Sequence, residues 1–223
     1  FATVFDVTGP GELRYRLDAN GQLPDGMVHV TGGRLALPLV GLDHLEPIDL
    51  DDFLIDRFET TNRQFKRFID AGGYRDKQYW QVPFVRNGKP VSWEESVAVF
   101  KDKTGRPGPA TWEVGDYPAG QDDYPVTGVS WYEAAAFARF AGKQLPTVYH
   151  WAAAARIGLS SSIVPQSNIE ARHAGAVRVG EYAGMSGFGT RDMAGNVREW
   201  VFNEAADKRY LLGGSWDDSP GMF

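Results

Sequence analysis

"YPVTGVSWYEAAAFARFAGKQLPTVYHWAAAAR", residues 124–156, contains two helices and the signals that bound them. Ser130 stands just before an Ala-rich apolar run and Glu133 follows three positions later, the reciprocal capping pattern of a helix start. Gly142 ends that run, because glycine adopts the left-handed conformation that closes a helix at little steric cost. Thr147 opens "VYHWAAAARIG" in the same manner. One helix is therefore predicted over residues 130–142 and another from Thr147 onward.

The same signals recur upstream. In "FLIDRFETTNRQFKRFIDAGG" (53–73) Thr60 or Thr61 caps a helix, Phe65, Phe68 and Ile69 share one face, and Gly72-Gly73 stops it. "SWEESVAVFKDKTG" (92–105) reads as a short helix capped by Ser92 with Glu95 three residues on. Residues 1–37 alternate as strands do in "ATVFDV", "ELRYRL" and "MVHV", with Gly and Pro between them and a hairpin signal at Asn20-Gly21. "GAVRVG" (175–180) and "RYLLGGSW" (209–216) read as later strands. From Tyr74 to Gln121 the chain is irregular and aromatic. Few helices, many short strands and long loops define an α+β domain. No repeat or linker divides it, so one domain is expected.

Composition narrows the function. The 223 residues carry 23 basic and 29 acidic side chains, a net charge of −6. Phosphate binding wants a basic face, and no basic run provides one, so nucleic acid is not an expected partner. No stretch approaches the roughly 18 apolar residues of a membrane span, so membrane insertion by this segment is not expected. Cysteine is absent, which removes disulfides, thiolate metal sites and cysteine nucleophiles from these residues. The compartment stays open, cytoplasmic or extracytoplasmic. Both ends read as cut from something longer: "FATVFDV" begins inside a strand and "GGSWDDSPGMF" stops without a closing element.

"RDMAGNVREWV" (191–201) places Asp192 and Glu199 a short turn apart around a Gly, an Asn and Trp200. Ca²⁺ takes oxygens from side chains and carbonyls at irregular spacing, and this loop offers both. In the alternative reading Asp192 and Asn196 make Asx turns while Glu199 pairs with Arg191 or Arg198. His150, at a helix start, reads as a capping or packed residue, and His173 as exposed in a polar loop. His29 and His44 lack metal spacing. Trp131, Trp151, Trp200 and Trp216 read mostly as core. Trp80, Trp93 and Trp112, in irregular segments, are candidates to line a ligand groove.

Taken in order, "IDRFETTNRQFKRFIDAGGY", "YPVTGVSWYEAAAFARFAGKQLPTVYHWAAAAR", "GFGTRDMAGNVREWV" and "LLGGSW" resemble the formylglycine-generating enzyme (sulfatase-modifying factor) family over residues 24–223. Residues 1–23 then read as lead-in strands, and the domain as incomplete at its C-terminus. The resemblance implies a C-type-lectin-like α+β fold. "RPGPATWE" and "LPTVYHW" are most similar in wording to such domains fused to bacterial serine/threonine protein kinases. Formylglycine formation in the family uses a Cys pair that binds copper(I); this chain has no Cys, so copper is not expected. The iron of the related sulfoxide synthases, held by a His triad on a preceding bundle, is not expected either. Other relatives bind ligands on the surface that begins near "GGSW", which makes Trp216, Asp217 and Asp218 candidate ligand residues. The resemblance also gives the 191–201 loop a Ca²⁺ ligand set: Asp192, the carbonyls of Gly195 and Val197, and Glu199. A second Ca²⁺ loop of relatives would begin at Asn168-Ile169, but its later acidic ligand lacks a counterpart here. A non-catalytic recognition domain for a small-molecule, peptide or protein ligand is the expectation. The alternative is an oxygen-dependent oxidase whose catalytic segment lies elsewhere.

Overall fold

Capping chemistry sets the helices of the computed structural model, which describes residues 21–37, 39, 41–205 and 208–220. Helix α1 (Asn62–Asp70) starts at Thr61, whose side chain accepts from the Gln64 amide while Gln64 returns a bond to the cap backbone. Helix α2 is Trp93–Val97, capped by Ser92. Helix α3 (Trp131–Phe140) has the full Ser130–Glu133 box, and α4 (Val148–Ala155) is capped by Thr147. A short α5 follows at Ser160–Ile163. At the end of α3, Gly142 (φ 70°) lets its own amide reach Arg139 O and the Lys143 amide reach Ala138 O, so two last-turn carbonyls are satisfied. Gly73 closes α1 against the Phe68 ring, where an added Cβ would lie only 2.0 Å from a ring carbon.

Strands pair only in twos among the described residues. β1 (Met27–Val30) runs antiparallel to β4 (Phe53–Asp56), and β2 (Gly33–Leu35) to β3 (Ile48–Leu50). β5 (Phe84–Arg86) and β6 (Lys89–Val91) form a hairpin through Asn87-Gly88, both at positive φ, as a primed turn requires. β7 (Glu199–Ala205) and β8 (Lys208–Leu212) make the fourth pair, with an irregular register between Trp200 and Glu204.

The interior is divided into clusters. One joins Val30, Val148, Trp151, the small face of α4, Met193 and Val201. A second is aromatic, with Phe65, Phe68, Tyr74, Trp80, Phe84 and Trp112. A third, smaller cluster collects Ile163, Val164, Ile169 and Ala194. Helix α3 ties the first two together: Ala136 packs into the aromatic cluster while the Trp131 indole donates to Val201 O at 2.8 Å.

The α+β architecture and the two main helices agree with the sequence reading, and two details differ. "FLID" is strand β4, and the helix begins only at Asn62. "GAVRVG" is not a strand, because Asn196 takes both backbone groups of Val177: its Oδ1 accepts from the amide and its Nδ2 donates to the carbonyl. A side chain has replaced a neighbouring strand. The expected strands "ATVFDV" and "ELRYRL", with Asn20, fall outside the described residues. No described helix is long and apolar enough to cross a membrane.

Candidate functional site

The 191–201 loop enters β7 beneath the "GGSW" segment, and its backbone is bent to do so. Asp192 (φ 60°) and Asn196 (φ 58°) are left-handed, a conformation Asp and Asn tolerate better than most residues. Gly195 (φ 78°) admits no side chain, since a Cβ there would meet Asn168 O at 2.2 Å. The Gly195 amide donates to Gly213 O at 2.7 Å and the Trp216 amide to Asn196 O at 3.0 Å. The two segments that the sequence singled out are thus stitched together.

Beneath them lies a buried acidic network that includes a residue the sequence did not single out, Glu59. Its Oε2 accepts from Asn196 Nδ2 at 2.7 Å and its Oε1 from the Val197 amide at 3.1 Å. Asn196 Oδ1 in turn accepts from Asn168 Nδ2 at 3.2 Å. Burial, then the neighbouring Asp192 and Glu199 charges, pushes the Glu59 carboxyl well above its ordinary range. Burial raises Asp192 to about 6, opposed by the Gly180 amide and Arg191. Burial also raises Glu199 to about 7, with the Trp151 indole opposing and Asp192 reinforcing the shift. Nothing local marks Glu59 in "IDRFETT", because its partners are over 130 residues away.

The geometry decides one part of the alternative reading. Neither arginine neutralises Glu199 by pairing with it: Arg198 grips Asp218 through two bonds, at 2.9 and 2.6 Å, and Arg191 Nη1 donates to Tyr182 O. Glu199 Oε2 instead accepts from Trp151 Nε1 at 2.5 Å, a neutral donor that leaves the charge uncompensated. Three carboxyls sharing a desolvated region cannot all ionise without a cation. Among the described residues no three His, Asp or Glu side chains form a metal cage by themselves. An ion here would need backbone oxygens to complete its shell, and the loop supplies carbonyls at Gly195 and Val197.

A groove of about 1150 Å³ opens alongside. Leu54, Phe58, Phe202 and Leu211 line it and are exposed, with Trp216 and Asp217 at the "GGSW" end. Four consecutive β4 residues, Phe53–Asp56, contact it. Side chains alternate faces along a strand, so the groove runs along the β4 edge. Leu54 and Phe58 carry no signal in the sequence, because exposure of a large apolar side chain is not written there.

The six candidate ligand residues are dispersed. Trp216 and Asp217 line the groove. Asp218 anchors its turn, accepting from the Ser215 amide and hydroxyl as well as from Arg198, which holds its carboxyl below the usual range. Trp80 is buried, stacked on Phe100, and bonded to Gly73 O. Trp112 is buried with its indole on Asn62 Oδ1. Trp93 packs against the same aromatic cluster. Among the remaining candidates, His150 meets Thr147 Oγ1 at 2.6 Å as a packed helix-start residue, and His173 is exposed.

The model of the sulfatase-modifying factor enzyme 1-like domain matches residues 16–223. The chain belongs to this family. Among its sulfatase-modifying factor relatives is the formylglycine-generating enzyme of Thermomonospora curvata, 31% identical across 80% of this chain and 71% of that protein. The inactive C-alpha-formylglycine-generating enzyme 2 of Bos taurus is 27% identical across 90% of this chain and 79% of its own length. Serine/threonine-protein kinase pkn1 of Chlamydia pneumoniae is 30% identical across 86% of this chain, which spans only 28% of the kinase. The crystal structure of CarF shares the fold, with a TM-score of 0.53 at 21% identity, covering 86% of this chain and 87% of that one.

Proposed function

We propose that this domain recognises a ligand in the groove beside Trp216 and Asp217 and does not transform it, as one module of a larger bacterial signalling or surface protein. The observation that carries the reading is that four exposed apolar residues, Leu54, Phe58, Phe202 and Leu211, line one groove. Contiguous exposed apolar surface marks a binding site more often than an accident of packing. The absence of cysteine from all 223 residues supports the non-catalytic half, because copper(I) chemistry wants thiolates. A relative named as inactive and another named as a kinase support the reading.

In this reading Ca²⁺ is held by Asp192, the Gly195 and Val197 carbonyls and Glu199. Its role is structural: it neutralises the buried carboxyls and fixes the turn on which Trp216 sits. Neither copper nor iron takes part. Peptide display on the wild-type domain tests the groove. Selected peptides should lose binding to Phe202→Glu, and equal binding to both forms would refute the site. The second reading is an oxygen-dependent oxidase with its catalytic residues outside this sequence. It draws on the 31% identity to the Thermomonospora curvata enzyme, and it requires turnover by a longer protein.

A further inference from the structure

A second cavity, of about 460 Å³, adjoins the groove at Pro125 and Thr127 but has its own walls. Its size falls in the range of small-molecule pockets. None of its lining residues is Asp, Glu, Lys or Arg, in a chain where 23% of residues are. The surface that borders it is otherwise rich in charge, with Asp122 and Asp123 paired to Arg63 close by. The lining is uncharged yet polar.

The cavity is preformed. Its floor is Trp112 and Asn62, whose amide is satisfied on both sides, by the Trp112 indole and by Gln121 O at 2.9 Å. One wall, around Gln121–Thr127, is fastened to the start of α1: the Asn62 amide donates to Tyr124 O at 2.9 Å and the Val126 amide to Thr60 O at 2.9 Å. The other wall, His173–Val177, is held by Asn168 Nδ2 on Gly175 O and by Asn196 Oδ1 on the Val177 amide. The Val179 amide, donating to Asp123 O at 3.0 Å, links the two walls. On this fixed frame the Gln121 side-chain amide, the Tyr124 hydroxyl and the His173 imidazole have no hydrogen-bond partner among the described residues. Together they supply hydrogen-bond donors and acceptors and no carboxylate, ammonium or guanidinium. Ala174, Gly175 and Ala176 line it with small side chains that leave its volume free.

We infer that this cavity binds a neutral, hydroxyl-bearing small molecule of about monosaccharide size. Gln121, Tyr124 and His173 supply the hydrogen bonds, and the uncharged lining discriminates against ionised analogues, whose desolvation nothing here offsets.

The test uses glucose, N-acetylglucosamine and myo-inositol as neutral probes, with glucuronate and glucosamine as charged counterparts. Binding to the intact domain is followed by saturation-transfer NMR and by amide shifts. At least one neutral probe should bind and shift the amides of residues 173–177, and the charged probes should bind at least tenfold more weakly. Gln121→Ala and Tyr124→Phe should each weaken binding about three- to tenfold. Ala174→Phe, at an exposed position, should abolish it without lowering the melting temperature. Phe202→Glu should leave it unchanged, which separates this site from the groove. Failure of all three neutral probes, equal binding of the charged ones, or binding that survives Ala174→Phe would each overturn the inference.

Discussion

Glu199→Gln offers the most direct probe of the buried acids. Burial raises the Glu199 carboxyl from its ordinary 4.5 to about 7. In the absence of metal the folded chain therefore keeps a proton on Glu199 over a range where the unfolded chain has lost it. The folded state binds more protons, so stability falls as pH rises. This contribution is fully present below about pH 4.5 and is lost as pH passes through 7. A tenfold change in proton affinity is worth about 1.4 kcal/mol, so Glu199 alone accounts for about 3 kcal/mol, and Asp192, raised to about 6, acts in the same direction. For a chain of this size that corresponds to roughly 6–12 °C in melting temperature. Gln is neutral at every pH and can still accept from the Trp151 indole. In chelator, scanning calorimetry should show the wild type losing stability from pH 5 to 8 relative to Glu199→Gln. Added Ca²⁺ should erase the wild-type loss, since the ion favours the ionised carboxylate. At a hundredfold excess over its dissociation constant it adds about 2.7 kcal/mol by mass action, and Glu199→Gln should blunt that gain. If the wild-type minus variant difference is flat across that pH range, burial does not govern Glu199. If Ca²⁺ moves neither protein, the loop holds no ion and is only a turn.

Two further outcomes test the frame. Gly195→Ala should lower stability by more than about 2 kcal/mol, because it combines a left-handed backbone with a Cβ 2.2 Å from Asn168 O; a melting temperature within a degree of wild type, by differential scanning fluorimetry, would show that the loop relaxes. Ser130→Ala removes the cap of α3 and should cost about 1 kcal/mol, measured by urea unfolding with an unchanged m-value; no loss would mean that the Glu133 half of the box suffices.

Local chemistry was readable where its partners are near in sequence. Thr61 with Gln64, Ser130 with Glu133, and Thr147 act within one helical turn, so their side chains announce the helices directly. The site was half readable for the complementary reason. Asp192 and Glu199 belong to one short motif, but Glu59 joins them across more than 130 residues, and no periodicity encodes that approach. Trp80 and Trp112 show a different limit. They lie in segments without regular structure, which made them groove candidates; those segments fold over their own aromatic cluster and bury both rings, and Trp112 lines the smaller cavity from there. "GAVRVG" had the composition of a strand, and the Asn196 side chain captured its hydrogen bonds.

The claim that these residues recognise rather than transform is tested most directly by oxygen consumption. The domain is loaded with copper(I) and given a cysteine-containing sulfatase peptide, and oxygen uptake and conversion of the peptide thiol to an aldehyde are followed together. Without a thiolate in the chain to hold the metal, both should stay at the level of free copper. Copper-dependent uptake above that level, matched by aldehyde formed, would show that the domain is an oxidase.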